Sequence, residues 1–138
     1  MPDIQVRLRQ VGPTTSEASL PRGRTILVDR PEEKGGEDKG PMGGEYFLAS
    51  VGGCFMSTLL TAIRAREAPI TNVRTEVVGA LGQDPARFES LTLQVSADYD
   101  DEELFQRLVR VAENGCIMVN TLKRGIELNV STETTVRE

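Results

Sequence analysis

The sequence predicts a single α+β domain over residues 1–138, with helices packed on a mostly antiparallel sheet in the order β-β-α-β-β-α-α-β. Three observations predict it. From Tyr46 to Ile63 the chain carries no charge, and Leu48, Val51, Phe55, Leu59 and Ala62 recur at helical spacing. Strict apolar/polar alternation runs through residues 3–10, 89–99 and 126–130, as half-buried strands require. A second amphipathic helix follows Asp100-Asp101, which are placed to cap it.

In chain order, Ile4, Val6 and Leu8 alternate with Gln5, Arg7 and Arg9 in a first, half-buried strand. Residues 12–23 are rich in Gly, Pro, Thr and Ser and read as a loop. Thr25-Ile26-Leu27-Val28 reads as the second strand. Pro31 to Gly44 is rich in Pro, Gly and charge, a long surface loop of the kind that often carries function. The central helix spans roughly 45–66 and stops before Pro69. Gly52-Gly53 falls in its middle, where each Gly costs about 1 kcal/mol relative to Ala, so the pair is expected where another backbone crosses at short range. Residues 72–81 form a strand, Gln83-Asp84-Pro85 a turn, and 89–99 a strand with Leu91, Leu93, Val95, Ala97 and Tyr99 on one face. The second helix should present Leu104, Leu108 and Val111, flanked by Phe105 and Ala112. Asn114-Gly115 should end it as a left-handed cap. Ile117 to Leu122 form a short helix closed by Gly125, and Ile126, Leu128 and Val130 lie in a last strand.

Composition excludes several classes. A formal charge of −5 argues against a nucleic-acid or membrane-surface partner. The uncharged run reaches the lower limit for a membrane span, but its Gly, Ser and Thr content fits the buried centre of a soluble domain better. The opening residues lack the pattern of a secretory signal, so a cytoplasmic site, with thiols reduced, is expected. Histidine is absent, which removes the usual general base and the commonest zinc ligand; two cysteines alone cannot close a zinc site. The glycine pairs match neither a phosphate loop nor a dinucleotide fingerprint. No metal or cofactor is expected.

Two residues remain as candidate chemistry, Cys54 in the central helix and Cys116 just after the second helix stops. Buried cysteine often serves as an inert small hydrophobe, and that reading stays open. A reactive thiol instead needs thiolate character. The helix dipole acts only within a terminal turn, about 13 Å from Cys54 by helical rise, so it cannot supply this. Without histidine the activator is Arg or Lys; Arg22, Arg24 and Arg30 are available, while Arg64 and Arg66 lie too far along the helix. Glu45 is the carboxylate near the helix start. On a straight helix it would lie about 180° around from Cys54. It is therefore a dipole-favoured helix-start charge, a residue of a loop that turns back, or a group serving the Cys54 of a second subunit.

Gly40-Pro41…Glu45-Tyr46-Phe47-Leu48-Ala49-Ser50-Val51-Gly52-Gly53-Cys54 resembles the first cysteine segment of the OsmC/Ohr family, the osmotically inducible and organic hydroperoxide resistance proteins. Ala112-Glu113-Asn114-Gly115-Cys116-Ile117-Met118-Val119-Asn120-Thr121-Leu122 resembles its second cysteine motif. The resemblance covers roughly 24–135. Met42-Gly43 stands where the family often has a polar residue and Pro, and Ile117 where Pro commonly follows the second cysteine. Glu45 lies nine positions before Cys54, as in the OsmC-like branch. The resemblance implies a sheet wrapped around central helices and an intertwined homodimer. It also implies a peroxidase for organic hydroperoxides, with hydrogen peroxide reduced by some members. Carried over, Cys54 is the peroxidatic thiolate, Cys116 the resolving thiol, and Glu45 the partner of an activating arginine, best matched by Arg24. An external dithiol would reduce the disulfide. The alternative is a non-catalytic protein that holds a small ligand in the same dimer cleft.

Overall fold

The structure, a computed structural model, describes residues 1–133 and 137. Its elements are β1 (Arg7–Gln10), β2 (Ser16–Ser19), β3 (Thr25–Val28), α1 (Gly43–Ala65), β4 (Thr71–Gly82), β5 (Arg87–Asp98), α2 (Glu102–Gly115) and α3 (Ile117–Arg124). This is the α+β composition expected, with two corrections to the order, at residues 12–23 and 126–130. The chain divides into two compact units, Met1–Gly52 with Glu76–Gln94, and Gly53–Thr75 with Val95–Glu138.

In the first unit, β1, β2 and β3 form an antiparallel meander with Leu8 opposite Ala18 and Ala18 opposite Ile26. The middle strand corrects the loop expected at 12–23. Ser16-Glu17-Ala18-Ser19 has no β-branched residue and buries only Ala18 fully, so it carries no alternation to read. Pairing on both sides makes it a strand nonetheless. The first strand is shorter than expected and is not half-buried: Ile4 and Val6 precede it, and they and Leu8 are exposed.

Buried Asp29, directly after β3, organises the long loop that follows. Its carboxylate accepts hydrogen bonds from Thr14 Oγ1 (2.8 Å), Thr15 Oγ1 (2.7 Å) and the backbone N–H groups of Arg30 (2.7 Å) and Lys39 (3.2 Å). Its own N–H donates to Pro41 O at 3.1 Å. The loop is thus closed at its base. It lies so near β3 that a Cβ on Gly40 would sit 2.4 Å from Leu27 O. Tyr46 Oη also reaches Leu27 O, at 2.9 Å. This loop delivers the chain into α1.

α1 begins two residues before the expected start and buries Val51 in this unit. A Cβ on Gly52 would lie 2.7 Å from Val77 Cγ2, so the close approach there is made by a β4 side chain and not by the backbone expected. Gly53 is exposed, with nothing near its missing Cβ. The rings of Phe47 and Phe88 meet at 5.5 Å.

In the second unit, Phe55, Leu59, Ala62 and Ile63 of α1 are buried, as are Ile70 and, from α2, Phe105, Leu108 and Ala112. Asp101 caps α2 as expected, accepting from Leu104 N at 3.1 Å. The buried face is turned slightly from the expected one: Val111 is exposed, and Phe105, stacked on Tyr99 at 4.6 Å, takes the central place. β4 and β5, joined by a short turn that lies in the first unit, pair as neighbours in an antiparallel hairpin, and β5 alternates as expected over Leu91 to Ala97, ending at Asp98 before Tyr99.

Two expectations at the C-terminal end are corrected. Gly115 does not adopt a left-handed backbone; Cys116 breaks the helices instead, extended at φ −82 and ψ 118. Gly125, at φ 75, does end α3 as expected. Residues 126–130 pair with no strand among the described residues, and Ile126, Leu128 and Val130 are 78%, 83% and 88% exposed. Alternation records what a segment can pair with, and no strand among the described residues meets it.

The Asp29 network generates the first prediction. The hydrogen bond from Thr15 is the largest cause holding this carboxyl far below the usual carboxylate range; Thr14 and the two backbone amides add to it, and burial opposes them. A carboxylate depressed in the fold stabilises it above the unfolded-state value of about 4, and that stabilisation is lost as pH falls below it. Asp29→Asn should melt at lower temperature at pH 7 and lose part of the parent's decline in melting temperature below about pH 4. Parental melting curves at both pH values would remove Asp29 from the stabilising network.

Candidate active site

α1 carries Cys54 at mid-length, between exposed Gly53 and buried Phe55. That places its side chain at the rim of the buried stripe, partly open to solvent. Cys116 lies at the extended residue between α2 and α3 and is 0% exposed. Both thiols are free, and the Cys116 thiol donates to the Cys54 sulfur across 3.4 Å. A disulfide bond is about 2.0 Å long, so a shift of about 1.4 Å would join them.

The environment of Cys116 keeps its proton on. Burial pushes its pKa up, and the bond to Cys54 acts in the same direction. The first-turn amides of Val119 and Met118 in α3 pull the other way without completing a capping hydrogen bond. The pair is therefore asymmetric, with an outer sulfur open to solvent and an inner, protonated one behind it. A solvent-borne oxidant meets Cys54 first.

Three further residues hold this pair in place. Thr58 Oγ1 donates to Cys54 O at 3.0 Å, and a Cβ on Gly115 would touch Thr58 Cγ2 at 3.4 Å. Asn120 Nδ2 donates to Asn114 O at 3.0 Å, joining α3 to the end of α2 across Cys116. Sequence reasoning placed Gly115 at the break before Cys116 but gave Thr58 and Asn120 no part in the site. Thr58 and Asn120 each lie four residues after a cysteine, and that spacing was the available signal.

Glu45 and Arg24 both lie in the first unit. Glu45 stands inside the first turn of α1, exposed, and its Oε1 accepts from Met42 N at 2.8 Å. This removes the possibility of a loop position and gives Glu45 a helix-capping contact. Arg24 is exposed directly before β3, and its carbonyl accepts from Leu20 N at 2.8 Å. Among the described residues no hydrogen bond joins Arg24 to Glu45. No cluster of His, Cys, Asp or Glu among the described residues has metal-binding geometry.

The fold recurs in solved structures. It superposes on a hypothetical protein from Aquifex aeolicus with TM-score 0.76 at 18% identity, covering 100% of each chain. An OsmC-like protein from Mycoplasma pneumoniae gives 0.76 at 16% identity, covering 88% of each chain. An organic hydroperoxide resistance protein from Elizabethkingia anophelis gives 0.71 at 20%, covering 92% of each chain. At these identities the likeness is one of fold. No curated protein matches the chain in sequence. The family model of OsmC-like proteins matches residues 36–131, which include Glu45 and both cysteines, and this chain belongs to that family.

Proposed function

We propose that this chain is a thiol-dependent peroxidase for organic hydroperoxides, working as one OsmC-like domain per protomer of a homodimer. The observation that carries the reading is the 3.4 Å approach of a half-exposed and a buried free thiol. The organic hydroperoxide resistance protein among its structural neighbours supports the substrate class.

In this cycle the Cys54 thiolate attacks a peroxide oxygen. The O–O bond breaks, the leaving alkoxide takes a proton to give the alcohol, and Cys54 becomes a sulfenic acid. The Cys116 sulfur then attacks the Cys54 sulfur and gives up its proton; the hydroxyl leaves as water and the disulfide forms. An external dithiol reduces it by exchange and is itself oxidised. Arg24 supplies the positive charge that favours the Cys54 thiolate, held by Glu45. Because Glu45 is inside a continuous helix, it serves the Cys54 of the second subunit.

Two surfaces support the dimer. Ala49, Gly53, Ser57 and Thr61 recur every four residues on the exposed side of α1 and are uncharged. The Thr61 hydroxyl is bonded to its own helix at Ser57 O (2.7 Å), so this side suits close helix packing. The exposed alternation of Ile126, Leu128 and Val130 suits a strand edge of a second copy. α1 is long and apolar enough to cross a membrane, with 33% of its apolar window buried. We assign the remainder to the subunit interface of a soluble, cytoplasmic protein without nucleic-acid or cofactor partners.

Mass spectrometry after treatment with cumene hydroperoxide tests the assignment of sulfurs. The parent should form an intramolecular Cys54–Cys116 disulfide. Cys116→Ser should retain one oxidation event and progress to sulfinic acid at Cys54, and Cys54→Ser should show neither. Two thiols that stay reduced in the parent would refute the peroxidase and favour the ligand-binding alternative.

Glu45→Gln separates orientation from capping, because the amide oxygen still accepts from Met42 N. Turnover with a dithiol should fall at least about tenfold, the scale of a lost charge-orienting contact, while the melting temperature and the dimer mass by light scattering stay parental. Parental turnover would make Glu45 a cap only, and a monomer mass for the parent would remove the shared site.

A further inference from the structure

We propose that Asn120 is a positioning residue that holds Cys116 against Cys54 and so decides whether oxidised Cys54 closes a disulfide or over-oxidises. This rests on the two-cysteine cycle proposed above.

The junction carrying Cys116 is a break between two helices, and such a break leaves the last carbonyls of the first helix without intrahelical partners. Asn120 satisfies one of them. Its Nδ2 donates to Asn114 O at 3.0 Å, while its backbone N–H donates to Cys116 O at 2.9 Å. Arg124 Nη1 donates to Asn120 Oδ1 at 3.3 Å, which fixes which way the amide faces. One side chain thus ties together the residues on either side of the inner thiol. A second tie, Lys123 to Glu113, also spans the junction, but both groups are exposed, so it adds little. On the other side, a Cβ on Gly115 would meet Thr58 Cγ2 at 3.4 Å, and the Thr58 hydroxyl is bonded to the carbonyl of Cys54. The room beside Thr58 is therefore too small for a larger residue at 115 to sit without ordinary van der Waals contact.

The sulfenic acid formed at Cys54 has two fates. In the first, Cys116 attacks it, and the products are the disulfide and water. In the second, another hydroperoxide transfers an oxygen to it, and the products are the sulfinic acid and the alcohol. The rate of the first depends on how tightly Cys116 is held in attacking position. The rate of the second depends on the peroxide concentration. Loosening the junction slows the first alone. Their ratio therefore reports positioning, and a residue that served only overall stability would not move it.

The experiment titrates the full-length parent, Asn120→Leu, Asn120→Ser and Asn120→Gln with cumene hydroperoxide and quantifies disulfide and Cys54 sulfinic acid by mass spectrometry. The first oxidation of Cys54 should proceed at the parental rate in all four. In Asn120→Leu and Asn120→Ser, the peroxide concentration giving half sulfinic acid should fall roughly five- to tenfold, the scale of one lost hydrogen bond. Asn120→Gln, which keeps an amide donor, should recover part of the difference. A parental half-point in either folded variant overturns the inference, and so does loss of folding in both, which would make Asn120 a residue of the fold. No oxidation of Cys54 in the parent refutes the peroxidase itself and is visible without any variant.

Discussion

Everything in this molecule depends on how one long uncharged helix is covered. α1 carries no charge from Tyr46 to Ile63, so solvent must be kept from most of its circumference. Its own chain covers one stripe, running through Val51, Phe55, Leu59 and Ala62. Gly52 lets the Val77 side chain come close, at the cost in helix propensity that a mid-helix Gly carries. The opposite stripe, through Ala49, Gly53, Ser57 and Thr61, stays open. Cys54 lies between the two. A residue at that rim is held by a packed helix and is still reachable from outside, a combination that neither stripe alone offers.

The same geometry separates the roles of the two sulfurs. Cys116 is fully buried and its thiol is pushed toward the protonated form, so it is shielded from oxidants and unreactive until an electrophile appears beside it. The sulfenic acid of Cys54 would be that electrophile. In the proposed cycle the order of reaction would then follow from exposure. The backbone at Cys116 is already extended, outside both helices, so a small movement there unwinds neither.

Much of this was legible in the sequence, and the failures have physical causes. The uncharged run, the Asp101 cap, the alternation of β5 and the stop at Gly125 were each encoded by local chemistry, and each appears where expected. β2 was not legible, because a short central strand of small polar residues is formed by its neighbours' hydrogen bonds and not by its own pattern. The alternation at 126–130 was legible as pattern but names no partner, and none pairs with it within the described chain. At the site, the meeting of Cys54 and Cys116 followed from the resemblance of two motifs. Asn120 and Thr58 did not, since their contacts are tertiary and their residue types are common on helix surfaces. The capping contact of Glu45 with Met42 was present in the sequence as the dipole-favoured reading of a carboxylate in a first turn.

The most direct test of the account is the stoichiometry of a single turnover without reductant. Reduced protein is mixed with excess organic hydroperoxide at low concentration, and alcohol release and free thiols are followed together. The account predicts one equivalent of alcohol released per chain in a rapid first phase, with both thiols lost together and recovered on adding a dithiol. Release of no alcohol, or loss of one thiol per equivalent while the other stays titratable, would contradict the pairing of Cys54 with Cys116 on which the account stands.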